Sequence, residues 1–188
     1  MRKFRFYCMD DKTKKKKFSV QKFLKDNFYL YGGILIAVLL FGVIFMVEIV
    51  PTGSMEPNYA SGSVCVGLRL GAKDNIKRET LIFFVHDGIV MFKRVIGLPG
   101  ETISLVDGYV EVNGERLDEK YIPEGVMTYP LSSNSTFTVP DGYYFVLGDN
   151  RADSSDSREW DNPYVSVESV KATALFGFKI PFWDKLVA

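Results

Sequence analysis

From Phe28 to Val47 the sequence reads FYLYGGILIAVLLFGVIFMV, twenty residues without a charge. A helix of that length, at about 1.5 Å per residue, reaches roughly 30 Å, the hydrocarbon thickness of a bilayer. Tyr29 and Tyr31 stand at its start, where amphipathic rings favour the membrane interface. Residues 1–27 carry ten Lys or Arg against three Asp, a charge of +7, and the remaining chain holds 13 basic and 20 acidic residues, −7. The zero net charge of the 188 residues therefore hides a strong polarity, and it excludes a globally basic nucleic-acid binder. Basic residues ahead of an apolar run hold the N-terminus in the cytoplasm. The expectation is a basic cytoplasmic tail over 1–27, a single transmembrane helix over 28–47 and an extracytoplasmic domain over 48–188 in contact with membrane lipid. A cleavable signal peptide has an apolar region of about 7–15 residues and a small-x-small site. This run is longer and continues into Glu48-Ile49-Val50-Pro51-Thr52, so it reads as an uncleaved anchor.

The domain beyond Glu48 has the texture of antiparallel strands. Val64, Val66 and Leu68 alternate with smaller or polar residues. Leu81–Val85 and Ile89–Val95 flank the turn His86-Asp87-Gly88, and Asp107-Gly108 and Asn113-Gly114 bracket Tyr109–Val112. Asp-Gly and Asn-Gly between apolar runs are the strongest short hairpin signals. Pro140-Asp141-Gly142 marks another turn between strands, Phe137–Val139 and Tyr143–Leu147. No amphipathic helix follows the anchor, so the fold class is mainly β. Two cysteines, Cys8 and Cys65, fall on opposite sides of the expected membrane and make no disulfide framework. A single histidine, His86, excludes most multi-histidine metal sites, and no cofactor or metal is expected.

Three glycine-punctuated clusters could carry chemistry: Pro51-Thr52-Gly53-Ser54-Met55-Glu56-Pro57, Lys93-Arg94-Val95-Ile96-Gly97-Leu98-Pro99-Gly100-Glu101, and Gly148-Asp149-Asn150-Arg151-Ala152-Asp153-Ser154-Ser155-Asp156-Ser157-Arg158. A serine beside glycine on a tight loop can present both its hydroxyl and its own N–H to a bound carbonyl, but it needs a base. His86 sits in a turn, where a solvent-facing role is the default. Lys93 lies among bulky apolar neighbours, and burial there would lower its pKa and free a neutral amine. Taken alone, Lys93 and Arg94 read better as a solvated basic pair on an edge strand than as a base and its neighbour.

Together, and in this order behind an apolar anchor, the three clusters make the chain resemble bacterial type I signal peptidases, the Ser–Lys membrane proteases that remove signal peptides from exported proteins. The resemblance runs from about residue 28 to about residue 180. It implies Ser54 as nucleophile and Lys93 as general base, with Thr52 and the Ser54 N–H forming the oxyanion hole. Ser154 matches a serine that orients the lysine amine; Asp156 and Arg158 match a structural ion pair, with Arg94 in the same polar support. Val50, Met55, Met91 and Phe92 match walls of small-residue pockets for substrate positions −1 and −3. The implied mechanism is an acyl-enzyme one, the implied substrates are secreted preproteins, and the export translocon is the implied protein partner.

Some positions depart from the family pattern. Glu79-Thr80 replaces a Gly-Asp pair, Trp160-Asp161-Asn162-Pro163 follows Arg158 where a glycine is usual, and Val170-Lys171-Ala172 stands for Gly-Lys-Ala. These bear on loop geometry and substrate preference more than on the dyad. No second apolar run precedes Phe28, so the expectation is the single-span form. A self-cleaving Ser–Lys repressor would be soluble and carry a DNA-binding region, and a sortase-like enzyme would need an external Cys–His pair. The non-enzymatic alternative is a catalytically divergent membrane-anchored β domain used for binding or assembly.

Overall fold

A computed structural model of the chain describes residues 25–74, 76–179 and 181. The expected basic tail falls, over residues 1–24, outside the described residues, and so do Cys8 and the last residues of the expected 48–188 domain. Helix α1 spans Phe28–Ile44, 17 residues, apolar all round and with none of them buried. Among the described residues no helix is long and apolar enough to cross a membrane. The helix stops three residues before the end of the uncharged run, a correction to the expected 28–47 boundary. Phe45, Met46 and Val47 belong instead to strand β1 (Phe45–Val50), paired with Leu68, Gly67 and Val66. Apolar residues suit a helix or a half-buried strand equally. Here the ladder to the next strand wins, because it pairs the backbone and buries Met46.

Among the described residues after α1 every strand pairing is antiparallel, and one short 3-10 helix stands at Val167–Ser169. The larger sheet orders its strands β1-β2-β11-β3-β4-β9-β10, with β2 at Ser63–Leu68, β3 at Leu81–His86, β4 at Ile89–Gly97, β9 at Tyr143–Leu147, β10 at Val165–Ser166 and β11 at Val170–Lys179. The smaller sheet orders β7-β6-β5-β8, with β5 at Thr102–Val106, β6 at Tyr109–Val112, β7 at Glu115–Arg116 and β8 at Thr136–Thr138. The hairpins expected at Asp87-Gly88, Asp107-Gly108 and Asn113-Gly114 form, with both central residues left-handed: Asp87 and Gly88 have φ of 49° and 79°, and Asp107 and Gly108 have 51° and 82°. Such turns match the right-handed twist of the strands they join. The strands on either side of Pro140-Asp141-Gly142, β8 and β9, lie in different sheets.

Three apolar clusters fill the domain. One packs Met46, Val50, Met55, Cys65, Phe83, Phe92 and Ala172, with Phe83 stacked on Phe92 at 4.5 Å between ring centroids. A second holds Ile82, Phe84, Val95, Val146 and their neighbours, and a third lies under the smaller sheet around Ile103, Phe137 and Phe145. The first matters most for function. It carries the end of β1 on one side and the middle of β4 on the other, and the two chemistry-bearing segments grow from these strands.

Candidate active site

Strand β1 ends where Pro51 removes a backbone donor; Val50, opposite Ser63, is its last ladder residue. A tight turn follows, closed by the Glu56 N–H donating to the Gly53 carbonyl at 3.0 Å. The turn presents Ser54, nine-tenths buried. Strand β4 brings Lys93, 3% exposed, from the other side of the cluster, opposite Ile82 in the β3–β4 ladder. Lys93 Nζ lies 2.6 Å from Ser54 Oγ, and the Thr52 hydroxyl donates to the same oxygen at 3.2 Å. Burial drives the lysine pKa from 10.5 down to about 8. Asp156 and Asp149 pull it back up and Arg158 pushes it down, so desolvation dominates. The result is an amine that gives up its proton near pH 8, well below the usual lysine range, in contact with a hydroxyl.

The third cluster folds against this pair. The Asn150 N–H donates to the Ser54 carbonyl at 3.0 Å, and its side-chain amide donates to the Gly53 carbonyl at 3.1 Å. Gly148 needs its missing side chain: a Cβ there would lie 2.1 Å from Ser154 Oγ and 2.5 Å from the Ser54 carbonyl oxygen. Ser154 is therefore pressed close to the nucleophile turn, but its buried Oγ has no hydrogen-bond partner among the described residues. The Ser154–Lys93 bond expected from the family pattern is not formed, because the amine is turned to Ser54.

Asp156 and Arg158 make a buried two-pronged pair, Nε to Oδ1 at 2.8 Å and Nη2 to Oδ2 at 2.9 Å, and Asp156 also accepts the Gly148 N–H. Arg94 does not join that pair. It forks onto Asp149 at 2.8 and 2.5 Å and stacks over the Tyr121 ring. A further fork, Arg151 on Glu119, was not expected from the sequence, nor was the amide bond from Asn58 to Asp149. Nothing local signals these pairs: Arg94 and Asp149 are 55 residues apart.

A cavity of about 150 Å³ opens beside the dyad, walled by Val50, Met91 and Phe92, three of the expected pocket residues, together with Glu48, Phe83 and Val90. Met55, expected on that wall, is fully buried in the adjoining core instead. Being next to the nucleophile, it packs inward against Tyr59 and Phe92 and holds the turn down. His86 stands apart, its ring stacked on Trp160 at 3.9 Å between centroids. Among the described residues no cluster of three His, Cys, Asp or Glu could hold a metal ion.

Residues 24–179 match the family model described as signal peptidase, peptidase S26. The chain belongs to this family. It is 30% identical over 169 residues to a probable signal peptidase I-1 of Synechocystis, covering 84% of this chain and 83% of that protein. It is 33% identical over 152 residues to signal peptidase I V of Bacillus subtilis, covering 73% of this chain and 90% of that one. A crystal structure of a signal peptidase I from Enterococcus faecalis is 35% identical and covers 53% of this chain and 97% of that one, with a TM-score of 0.46. Membership makes the chain a serine endopeptidase of the type I signal peptidase kind.

Proposed function

We propose that this peptidase removes signal peptides from exported preproteins with Ser54 as nucleophile and Lys93 as general base. The observation that carries the reading is the 2.6 Å contact between a buried hydroxyl and a buried amine whose pKa is lowered to about 8. The neutral amine takes the Ser54 proton as Oγ attacks the scissile carbonyl, and the Ser54 N–H and the Thr52 hydroxyl face the developing oxyanion. One such donor is worth about 3 kcal/mol. Thr52 must turn from Ser54 Oγ to the oxyanion, a rotation about one side-chain bond. The protonated amine then passes its proton to the leaving nitrogen, the new N-terminus departs, and Lys93 activates a water that frees the acyl-enzyme. In this reading Ser154, buried and without a hydrogen-bond partner among the described residues, holds the amine once it leaves Ser54.

The substrate, in this reading, is an extended segment laid along β1 and β4 with small side chains in the cavity beside Val50, Met91 and Phe92. Anchorage to a membrane, with the N-terminus cytoplasmic and the domain outside, rests on the uncharged segment from Phe28 and the basic residues ahead of it. At about 26 Å, α1 is short for a span, and thinning of the bilayer or snorkelling of flanking side chains accommodates such a length. The export translocon and membrane lipid are the partners that follow.

The test uses the full chain in detergent and a synthetic signal peptide with Ala at −1 and −3. The wild type cleaves it at one bond, while Ser54→Ala and Lys93→Met show no turnover and keep the far-ultraviolet spectrum of the parent. Full cleavage by either variant would overturn the dyad.

A further inference from the structure

Glu48 has no part in the chemistry above, yet it stands in the substrate cleft. Strand β1 alternates: Met46 and Val50 are buried, Val47 and Ile49 are exposed, and Glu48 shares the inner face with the first two. It is the one acidic side chain among the described residues lining the 150 Å³ cavity. No hydrogen bond or ion pair to its carboxylate is formed among the described residues, and the nearby Lys93 amine is on Ser54 instead. Glu48 is partly buried, and the side chains around it on this wall are apolar except at the dyad end, where Thr52, Ser54 and Lys93 stand.

Its position along the strand indicates what it meets. Residues two apart on a strand lie about 6.6 Å apart on one face, and an extended peptide has the same repeat. Val50 adjoins the turn that carries Ser54, so a substrate side chain at −1 sits by Val50. The side chain at −3, one repeat further, sits by Glu48. We propose that Glu48 makes the −3 subsite acidic, so that this enzyme favours signal peptides with a small hydroxyl residue at −3 (Thr or Ser) over apolar residues of similar size. The inference rests on the peptidase reading above. Docking of the peptide strips water from the cleft. An apolar −3 residue then leaves the carboxylate unpaired, while a hydroxyl pairs with it.

The experiment compares kcat/KM for peptides that differ only at −3, in the pairs Thr against Val and Ser against Ala, the Ala peptide also serving as reference. Wild type is expected to favour the donor in each pair about tenfold, the worth of one charge-assisted hydrogen bond. Glu48→Ala brings both ratios to about one. Glu48→Gln keeps only part of each preference, because a neutral amide oxygen still accepts but makes a weaker hydrogen bond than a carboxylate. Each ratio compares two peptides on one preparation, so partial misfolding scales both rates alike; if Glu48→Ala does not fold, the size-matched Glu48→Gln carries the comparison. Wild-type ratios near one, or tenfold ratios surviving in Glu48→Ala, overturn the proposal. Ser54-dependent cleavage of the Ala peptide with flat ratios sinks the acidic subsite alone; no cleavage of any peptide sinks the peptidase reading and this proposal with it.

Discussion

Replacing Lys93 with methionine should end turnover and yet stabilise the protein at neutral pH. Burial takes the amine from 10.5 to about 8, and at about 1.4 kcal/mol per pH unit this is roughly 3 kcal/mol against folding. Below pH 8 the amine is protonated in both folded and unfolded chains, and that cost is fully present. Between about pH 8 and 10.5 the unfolded chain holds a proton that the folded one lacks, so wild-type stability rises with pH across this window. Methionine is unbranched, uncharged and of similar length, so it fills the same space. It also loses the hydrogen bond to Ser54, worth about 1 kcal/mol. The net expectation is a gain of about 2 kcal/mol at pH 7, or about 4–8 °C in melting temperature for a domain of this size. By pH 10.5 the gain reverses to about −1 kcal/mol, the lost hydrogen bond alone. Thermal unfolding of the full chain in detergent, followed by circular dichroism at pH 7, 8.5 and 10, measures this. A variant that melts below wild type at pH 7, or a gap that stays constant from pH 7 to 10, would refute the account of a desolvated amine.

The pH dependence of kcat/KM should show a single limb that rises through about pH 8 as the Lys93 amine loses its proton; a flat profile between pH 6.5 and 9 contradicts the base assignment. Gly148→Ala places a methyl 2.1 Å from Ser154 Oγ, and the forced shift should lower stability by about 1–3 kcal/mol and slow cleavage, read by melting temperature and kcat. His86→Ala removes a ring stacked on Trp160, should cost about 1 kcal/mol of stability and should leave kcat/KM at the wild-type level. A loss of activity there would bring the imidazole into the mechanism.

What could be read from the sequence was local. The Asp87-Gly88 and Asp107-Gly108 turns announce their hairpins because a type I′ turn needs two left-handed residues, and these dipeptides supply them. Strand β11 carries no such mark, although it sits between β2 and β3 in the larger sheet. Its Phe176 and Phe178 are exposed, so burial does not impose the usual alternation. The beginning of β1 was hidden for the opposite reason, because Phe45-Met46-Val47 extends the apolar run of the helix without a break. The candidate dyad and the Asp156–Arg158 pair were visible through the sequence boxes, whereas the partner of Arg94 was not. A guanidinium and a carboxylate 55 residues apart read as two solvated groups until the strands bring Arg94 onto Asp149.

Those ion pairs bear on the lysine more than on stability. Asp149 and Asp156 are both fully buried, and each favours the protonated form of Lys93. A bare carboxylate at either position would hold the proton on the amine and undo what burial achieves. Forking Arg94 onto Asp149 and Arg158 onto Asp156 turns each lone charge into a compact pair, whose field weakens faster with distance than that of a single charge. Arg158 also opposes the protonated amine directly. A buried pair is weak as a source of folding free energy, since apolar replacements of the same shape often do as well. Its worth here is that Asp156 can accept the Gly148 N–H, and Asp149 can hold Arg94 and Asn58, without charging the base. The scaffold beside Ser54 is thus polar enough to be held by hydrogen bonds and close enough to neutral to leave desolvation in control of the amine.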